Sequence, residues 1–341
     1  MLQPQPFTRF QPAYVSVLRQ VLTGHRYQTF GRGKDALEII NCGFSLADPV
    51  DRVPYLAARG MNLPFNFAEA LWYLTGRDDL DMIAYYAPSL RNLSPDGATL
   101  TGTAYGPRLF RPNGPDGRSQ YERVLRLLRE ESDSKRAAMI IMQPDELADP
   151  ANPDVACTLS LQFMLREGQL HMTAYMRGND ALIGLLGDTF SFTLIQEFAA
   201  RELRVAVGQY AHYVGSMHIN KLDIPKVTAI IDEVGMSGPR TSFPPDVMPR
   251  TTWEELLEVC DWEQRLRLDQ DRLTPERLHE IPLDPYWRRV LALFEVYRQI
   301  KHSPDTPVSR DSLAELHPGH RWLVAVRWPS YVPATAEAVG A

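Results

Sequence analysis

The stretch ACTLSLQFMLREGQLHMTAYMRGND, residues 156–180, contains one of only three cysteines and runs without a proline to an Arg–Gly–Asn–Asp turn. Within it Cys157, Leu159, Leu161, Phe163 and Leu165 alternate with Thr158, Ser160 and Gln162, the period of two that marks a half-buried strand. REGQ then turns the chain into a second strand, LHMTAYM. Cys157 has two readings. It is a small core residue, as free cysteine most often is, or a nucleophile that two strands and a turn hold in place.

Composition sets the bounds. The chain has 341 residues, 44% hydrophobic and 23% charged, ordinary for a globular protein and far from that of disordered chains. This length suits one large domain or two smaller ones. A net charge of −6 provides no overall basic field for a nucleic-acid polymer or an anionic membrane, so any anionic ligand must be met by placed arginines. Cys42, Cys157 and Cys260 are odd in number, far apart and without a CxxC pair, which indicates neither a disulfide framework nor a zinc site. The eight histidines show no metal-ligand pairing of the HExxH kind, and no metal is expected. The start, MLQPQPFTRFQPAY, lacks a basic segment followed by an apolar run, and no apolar run reaches bilayer length, so a reducing, cytoplasmic setting is expected.

Periodicity places the other elements. YVSVLRQVL reads as a short amphipathic segment, followed by the glycine-punctuated loop TFGRGKD and the strand-like ALEII. LPFNFAEALWYLTG, residues 63–76, reads as a helix ended by Gly76, with Glu69 among apolar neighbours. A loop over 87–118 precedes the helix YERVLRLLREE and the strand AAMIIM. Residues 189–203 carry apolar side chains at helical spacing and read as a core helix, and strand-like sequence returns in VAVGQYAHYVGSMHIN. SGPRTSFPPDVMPR then resembles a linker, two helices follow in TWEELLEVCDWEQRLRL and PYWRRVLALFEVYRQIK, and PATAEAVGA reads as a frayed end. The expected division is a domain over 1–240 and a C-terminal helical extension over 241–341, packed on the same domain.

Set against these motifs, the chain resembles the thymidylate synthase family. Cys157, Gln162-Phe163, Gly168, Leu170, Tyr175, Arg177, Asp180, Gly184-Leu185, Gly208, Gly215 and His218 fall in its register without a gap. FAEALWYLTG resembles the family's E-x-x-W-x-x-x-G helix, AYG at 104–106 its tyrosine–glycine turn and SDSKR at 132–136 its D-S-R-R motif. The resemblance spans about residues 12–225. It implies an α+β fold with a mixed β-sheet flanked by helices, two such sheets packing back to back in a homodimer.

The resemblance also implies a chemistry. A thiolate from Cys157 would add to C6 of a pyrimidine and turn the ring into an enamine, so that C5 attacks the one-carbon unit of 5,10-methylenetetrahydrofolate. A thiol of ordinary pKa, about 8.5, needs lowering for this, and Arg177 would help. Glu69 would move protons and help to expel the folate nitrogen, and Tyr105 would join the water network at C5. Arg32, Lys135, Arg136 and Arg177 would hold the nucleotide phosphate, two of them (Lys135 and Arg136) from the partner subunit. His218 would meet the 3′-hydroxyl. Asp180, Trp72 and Gly184 would contact folate.

Departures from the family pattern carry the specificity. Gly178 replaces a serine that normally touches the phosphate, and Lys135 replaces an arginine. Asp188 stands where thymidylate synthases have asparagine. An ionised aspartate only accepts hydrogen bonds, so it would repel O4 of uracil and accept from the 4-amino group of cytosine. The same exchange resembles what distinguishes cytidylate hydroxymethylases. Asn220 replaces a tyrosine beside the sugar and leaves room for a ribose 2′-hydroxyl. YYAPSLRNLSPDG lacks the tryptophan of the matching family segment, which would let water capture the exocyclic methylene.

The expected protein is therefore a CMP 5-hydroxymethylase that uses methylenetetrahydrofolate, placed in a specialised pathway such as antibiotic biosynthesis. The alternatives are a dCMP hydroxymethylase, a dUMP-methylating thymidylate synthase that would follow if Asp188 were protonated, and a non-catalytic nucleotide-binding regulator.

Overall fold

The computed structural model describes residues 4–31, 33–237 and 242–333. Arg32 and the residues of PATAEAVGA after Pro333 lie outside the described residues. Among those described, strands β1 (Gln5–Phe7), β2 (Tyr27–Gly31), β3 (Lys34–Leu46), β4 (Ala138–Ile140), β5 (Thr158–Arg166), β6 (Gln169–Asp180) and β7 (Ala206–Asn220) form one sheet. Its order is β1-β3-β7-β6-β5-β4, with β2 on β3. The β1/β3 and β6/β7 pairs are parallel and the others antiparallel, the mixed α+β arrangement expected. At the β5–β6 hairpin Glu167 and Gly168 take φ of 50° and 72°, the left-handed pair that a two-residue turn needs.

The helices are α1 (Phe10–Gly24), α2 (Leu63–Leu74), α3 (Leu80–Tyr86), α4 (Gly106–Phe110), α5 (Gln120–Glu130), α6 (Gly184–Leu203), α7 (Ile224–Ser237), α8 (Trp253–Arg267), α9 (Pro275–Glu280), α10 (Pro285–His302), α11 (Arg310–Ala314) and α12 (Pro318–Arg327). Among the described residues no helix is long and apolar enough to cross a membrane. Helices α1, α5 and α6 cover one face of the sheet. The opposite face exposes Ile40, Leu159 and Tyr213, with Tyr175 and Tyr213 stacked 5.9 Å apart.

Helix α6 is buried on every side, beyond the single apolar stripe read from its spacing. Its inward polar groups are matched in part, with Gln196 Oε1 buried without a hydrogen-bond partner among the described residues. Gln196 Nε2 donates to Leu170 O at 2.9 Å and Thr193 Oγ1 to Thr189 O at 2.7 Å. Glu197 pairs with Arg52 at 2.5 Å and accepts from Met248 N at 2.8 Å, tying the post-240 segment to this helix. Further on, α8 packs on α3, α10 and α12 pack on α2, and the Thr252–Glu255 capping box is formed.

One expectation about the quoted stretch needs correction. The alternation does not run evenly, because a bulge between Thr158 and Ser160 shifts the β5–β6 register. Thr158 is thereby buried while Leu159 is 40% exposed, the reverse of the simple pattern. The neighbouring strands change phase at the same level. In β3 the buried positions pass from Leu37 and Ile39 to Phe44 and Leu46 across Asn41, which has φ 56°. In β7 they pass from Tyr210, His212 and Val214 to Met217 and Ile219 across Gly215. Cys157 and Arg177 lie on this kink line.

Candidate active site

Cys157 is the residue just before β5, and the kink turns it out of the even strand pattern. Arg177 on β6 holds it from the side: its backbone N–H donates to Cys157 O at 2.9 Å. The guanidinium donates through Nε to Ala156 O at 2.8 Å and through Nη2 to Val155 O at 2.9 Å. Nη2 then lies 3.7 Å from Cys157 Sγ. A cation fixed at that distance favours negative charge on sulfur. Cys42 and Cys260 have the opposite surroundings: burial pushes their thiols up to about 11 and about 12, which suits the structural role expected of both.

Glu69 reaches the same region from α2. It is buried, and Ser191 Oγ donates to its Oε2 at 3.1 Å. Burial pushes its carboxyl up to about 7, opposed by the hydrogen bonds from Ser191 and Tyr73. Tyr105 precedes α4 and stacks on Tyr73 with ring centres 5.1 Å apart. A Cβ at Gly106 would stand 2.7 Å from Tyr73 O, so only glycine lets this loop lie against α2. Burial raises the Tyr105 phenol well above its ordinary value, and the charges of Asp188 and Cys157 add to this, while a hydrogen bond with Thr158 opposes it.

Asp188, on the first turns of α6, completes the cluster. Burial pushes its carboxyl well above the ordinary range, the neighbouring charge of Glu69 adds to that, and a hydrogen bond from Asn179 works against it. These surroundings favour the protonated form of Asp188, which has one donor and one acceptor, over the accept-only carboxylate expected. Gly184 is bound up with this arrangement, since a Cβ there would stand 2.4 Å from Asn179 Oδ1 and 3.6 Å from Asp188 Oδ2.

The sugar side is built from β6 and β7. His218 is paired across from Asp180 and Glu38, and it is half-buried. Asn220 Nδ2 donates to Asp180 Oδ2 at 2.7 Å, while Asp180 Oδ1 accepts from Leu182 N and Ile183 N at 2.9 and 2.8 Å. A side chain at Gly178 would meet Ser216 O at 3.6 Å, ordinary contact, so packing does not demand glycine there.

Three expected positions lie apart from the cluster. Lys135 is exposed, and Arg136, with 71% of its side chain exposed, pairs with Glu131 at 2.5 Å. Trp72 is corrected as a folate contact: it is fully enclosed, and its indole N–H donates to Asp79 O at 3.1 Å. Sequence reasoning missed Tyr73, Ser191 and Asn179. The first two sit in helical stretches whose spacing reads as core, and Asn179 sits inside the RGND run that reads as a turn. Among the described residues no group of His, Cys, Asp or Glu could hold a metal ion.

This arrangement has known counterparts. The protein is similar to the deoxyuridylate hydroxymethyltransferase of Pseudomonas phage M6, 28% identical over 79% of this chain and 76% of that one. It is also similar to the deoxyuridylate hydroxymethyltransferase of Bacillus phage SP01, 32% identical over 67% of this chain and 61% of that one. Its fold matches thermostable thymidylate synthase A from Bacillus subtilis with a TM-score of 0.55 at 20% identity, over 70% of this chain and 87% of that one. The sequence model of the thymidylate synthase family matches residues 12–262, extending past residue 225, where the motif resemblance ends. The chain belongs to the thymidylate synthase family, and it is a one-carbon transferase acting on pyrimidine nucleotides.

Proposed function

We propose that this enzyme is a CMP 5-hydroxymethylase. The observation that carries the reading is Asp188: a carboxyl at the position where the family has an amide, its protonated form favoured by burial and by Glu69. When Cys157 Sγ forms a bond to C6 of cytosine, electron density moves onto N3. A neutral Asp188 can give its proton to N3 and accept from the 4-amino group with its other oxygen. An amide can do only the second.

The other residues divide the remaining work. Arg177 favours the sulfur anion before attack. Glu69, poised at about 7, can hold or release a proton at neutral pH. Tyr105 and Thr158 supply neutral hydroxyls close to Cys157, suited to ordering the water that takes the C5 proton.

5,10-Methylenetetrahydrofolate, when bound, supplies the one-carbon unit. The residues fit such a ligand. Three of the four acceptor sites on the Asp180 carboxylate are filled, which leaves one for a pterin N–H. Arg59, which donates to Leu182 O at 3.2 Å, stands near Lys226 and Arg327, and these cations suit the carboxylates of a folate tail. In the segment that lacks the family tryptophan, Tyr86 donates to Glu263 at 2.7 Å and stacks on Tyr297, turned to the C-terminal helices. Water capture of the methylene, giving 5-hydroxymethyl-CMP, fits this and the hydroxymethyl transfer for which the two phage relatives are named. Room beside Gly178, and the engagement of Asn220 by Asp180, favour a ribonucleotide. A homodimer would cover the exposed sheet face and bring Lys135 and Arg136 to the partner's phosphate site.

A second reading has support of its own. The phage relatives are named for deoxyuridylate, and a neutral Asp188 has the donor that O4 of uracil requires. Incubation with CMP, dCMP, UMP and dUMP, followed by mass spectrometry, decides between them. The proposal expects CMP to gain one CH2O unit. A CH2 gain confined to dUMP would refute it.

A further inference from the structure

Alternate residues along a strand share one face of the sheet, and directly opposed residues on neighbouring strands face the same way. On β7 one such set is Ser216, His218 and Asn220. Gly178 and Asp180 on β6 are paired with Ser216 and His218, and Glu38 on β3 lies opposite His218. Glu38, Asp180, Ser216, His218 and Asn220 are all half-buried, so a ligand can reach the row. Its Gly178 end follows Arg177, whose backbone N–H donates to Cys157 O at 2.9 Å. No step above uses Glu38 or Ser216.

Ser216 Oγ donates to Glu38 Oε1. A hydroxyl has one hydrogen and two lone pairs, and a carboxylate only accepts. The bond therefore commits the serine hydrogen and leaves Oγ as an acceptor. A Cβ at Gly178 would stand 3.6 Å from Ser216 O and 3.9 Å from Ser216 Cβ, in ordinary contact, so glycine opens a side-chain-sized space beside this serine. A group that fits there has to donate. An oxygen that only accepts, such as that of a phosphate dianion, is disfavoured, and a sugar hydroxyl is suited.

Position along the strands selects the hydroxyl. Of the two ring hydroxyls of a ribose, the 2′ is nearer to the base, and so to the sulfur that bonds the base. Gly178 and Ser216 lie nearer to the Cys157 level than Asp180 and His218 do.

We infer that Ser216, its hydrogen held by Glu38, accepts a hydrogen bond from the ribose 2′-hydroxyl and so sets the preference for ribonucleotides over deoxyribonucleotides. Glu38 is the positioning residue. The inference rests on the ribonucleotide reading above and holds for either base. Without Glu38, the serine hydroxyl is free to rotate and present its hydrogen to the sugar.

The test measures binding by calorimetry and kcat/KM by product mass for CMP, dCMP and 2′-fluoro-2′-deoxy-CMP, with the matching uracil series alongside. Fluorine is close to a hydroxyl in size and cannot donate. The native enzyme should favour CMP roughly tenfold or more and treat the fluoro compound like dCMP. Full-length Ser216→Ala should lose roughly tenfold on CMP and little on dCMP. Glu38→Ala should lower the CMP-to-dCMP ratio less, and Glu38→Gln, whose amide oxygen still accepts, should restore part of it. A packing role alone would lower both substrates together and leave the ratio unchanged. That result, or a fluoro compound handled like CMP, overturns the inference, and the fluoro comparison needs no variant to fold. A native enzyme without preference for CMP over dCMP, and for UMP over dUMP, would instead overturn the ribonucleotide reading, so the native measurements tell the two failures apart.

Discussion

Arg177 Nη2 stands 3.7 Å from Cys157 Sγ while Arg177 Nε is bonded to Ala156 O at 2.8 Å, so the backbone just before the nucleophile fixes the cation beside it. A lysine offers a point charge and cannot hold two carbonyls and the sulfur at once. Arg177→Lys is expected to lower kcat/KM roughly 100-fold. Steady-state kinetics, with alkylation of Cys157 by iodoacetamide as a second readout, should show the thiol reacting more slowly at neutral pH. Unchanged alkylation would remove Arg177 from the activation of sulfur.

Glu69 links stability to pH. Its carboxyl is pushed up to about 7 in the folded protein from an ordinary 4.5, so between these values the folded state holds more protons than the unfolded one. The stabilisation is complete below 4.5 and is lost as pH rises through 7. Asp188 is raised too and acts in the same direction. The ligand-free protein should lose roughly 3 kcal/mol from Glu69 over this window. Urea unfolding across a pH series should show a much flatter profile for Glu69→Gln, and a parallel one would contradict the assignment.

Asp188→Asn keeps the shape and removes the acid. Cytidylate turnover depends on a proton reaching N3, whereas uridylate already has one there. The variant should lose roughly 100-fold or more in kcat on CMP and keep its activity on uridylates. Equal losses on both bases would mean that Asp188 does not read the ring.

Gly184→Ala places a methyl 2.4 Å from Asn179 Oδ1, a contact that cannot persist. A cost of about 1–3 kcal/mol is expected by thermal or urea unfolding. Adding Asn179→Ala should recover part of that cost, because the two groups compete for one space. Strict additivity would show that the clash is relieved elsewhere.

The strands of the central hairpin, helices α2, α5, α6, α8 and α10, and the Thr252 cap were all legible in the sequence, because each has a clear period or a cap of the right chemistry. The kink was not. Alternation in CTLSLQFML reads as uniform, and the bulge that buries Thr158 and exposes Leu159 is set by pairing with β6, a long-range fact. Helix α7 went unread because Val227, Thr228, Ile230 and Ile231 are β-branched, and α12 because it is only 10 residues long. Within the site, Cys157, Glu69, Tyr105 and Asp188 were named from their register and fall together. The upward push on the Asp188 carboxyl could not be read, since it arises from burial beside Glu69, more than a hundred positions away in the chain. Trp72 was misread because the E-x-x-W spacing puts it one turn from Glu69 without showing that α3 and Asp79 enclose it.

The most direct measurement is release of tritium from CMP labelled at C5, followed with and without methylenetetrahydrofolate in native enzyme and in Cys157→Ser. The account predicts folate-dependent release by the native enzyme and none by the variant. Release confined to labelled dUMP, or release from CMP that persists without the Cys157 thiol, would contradict it.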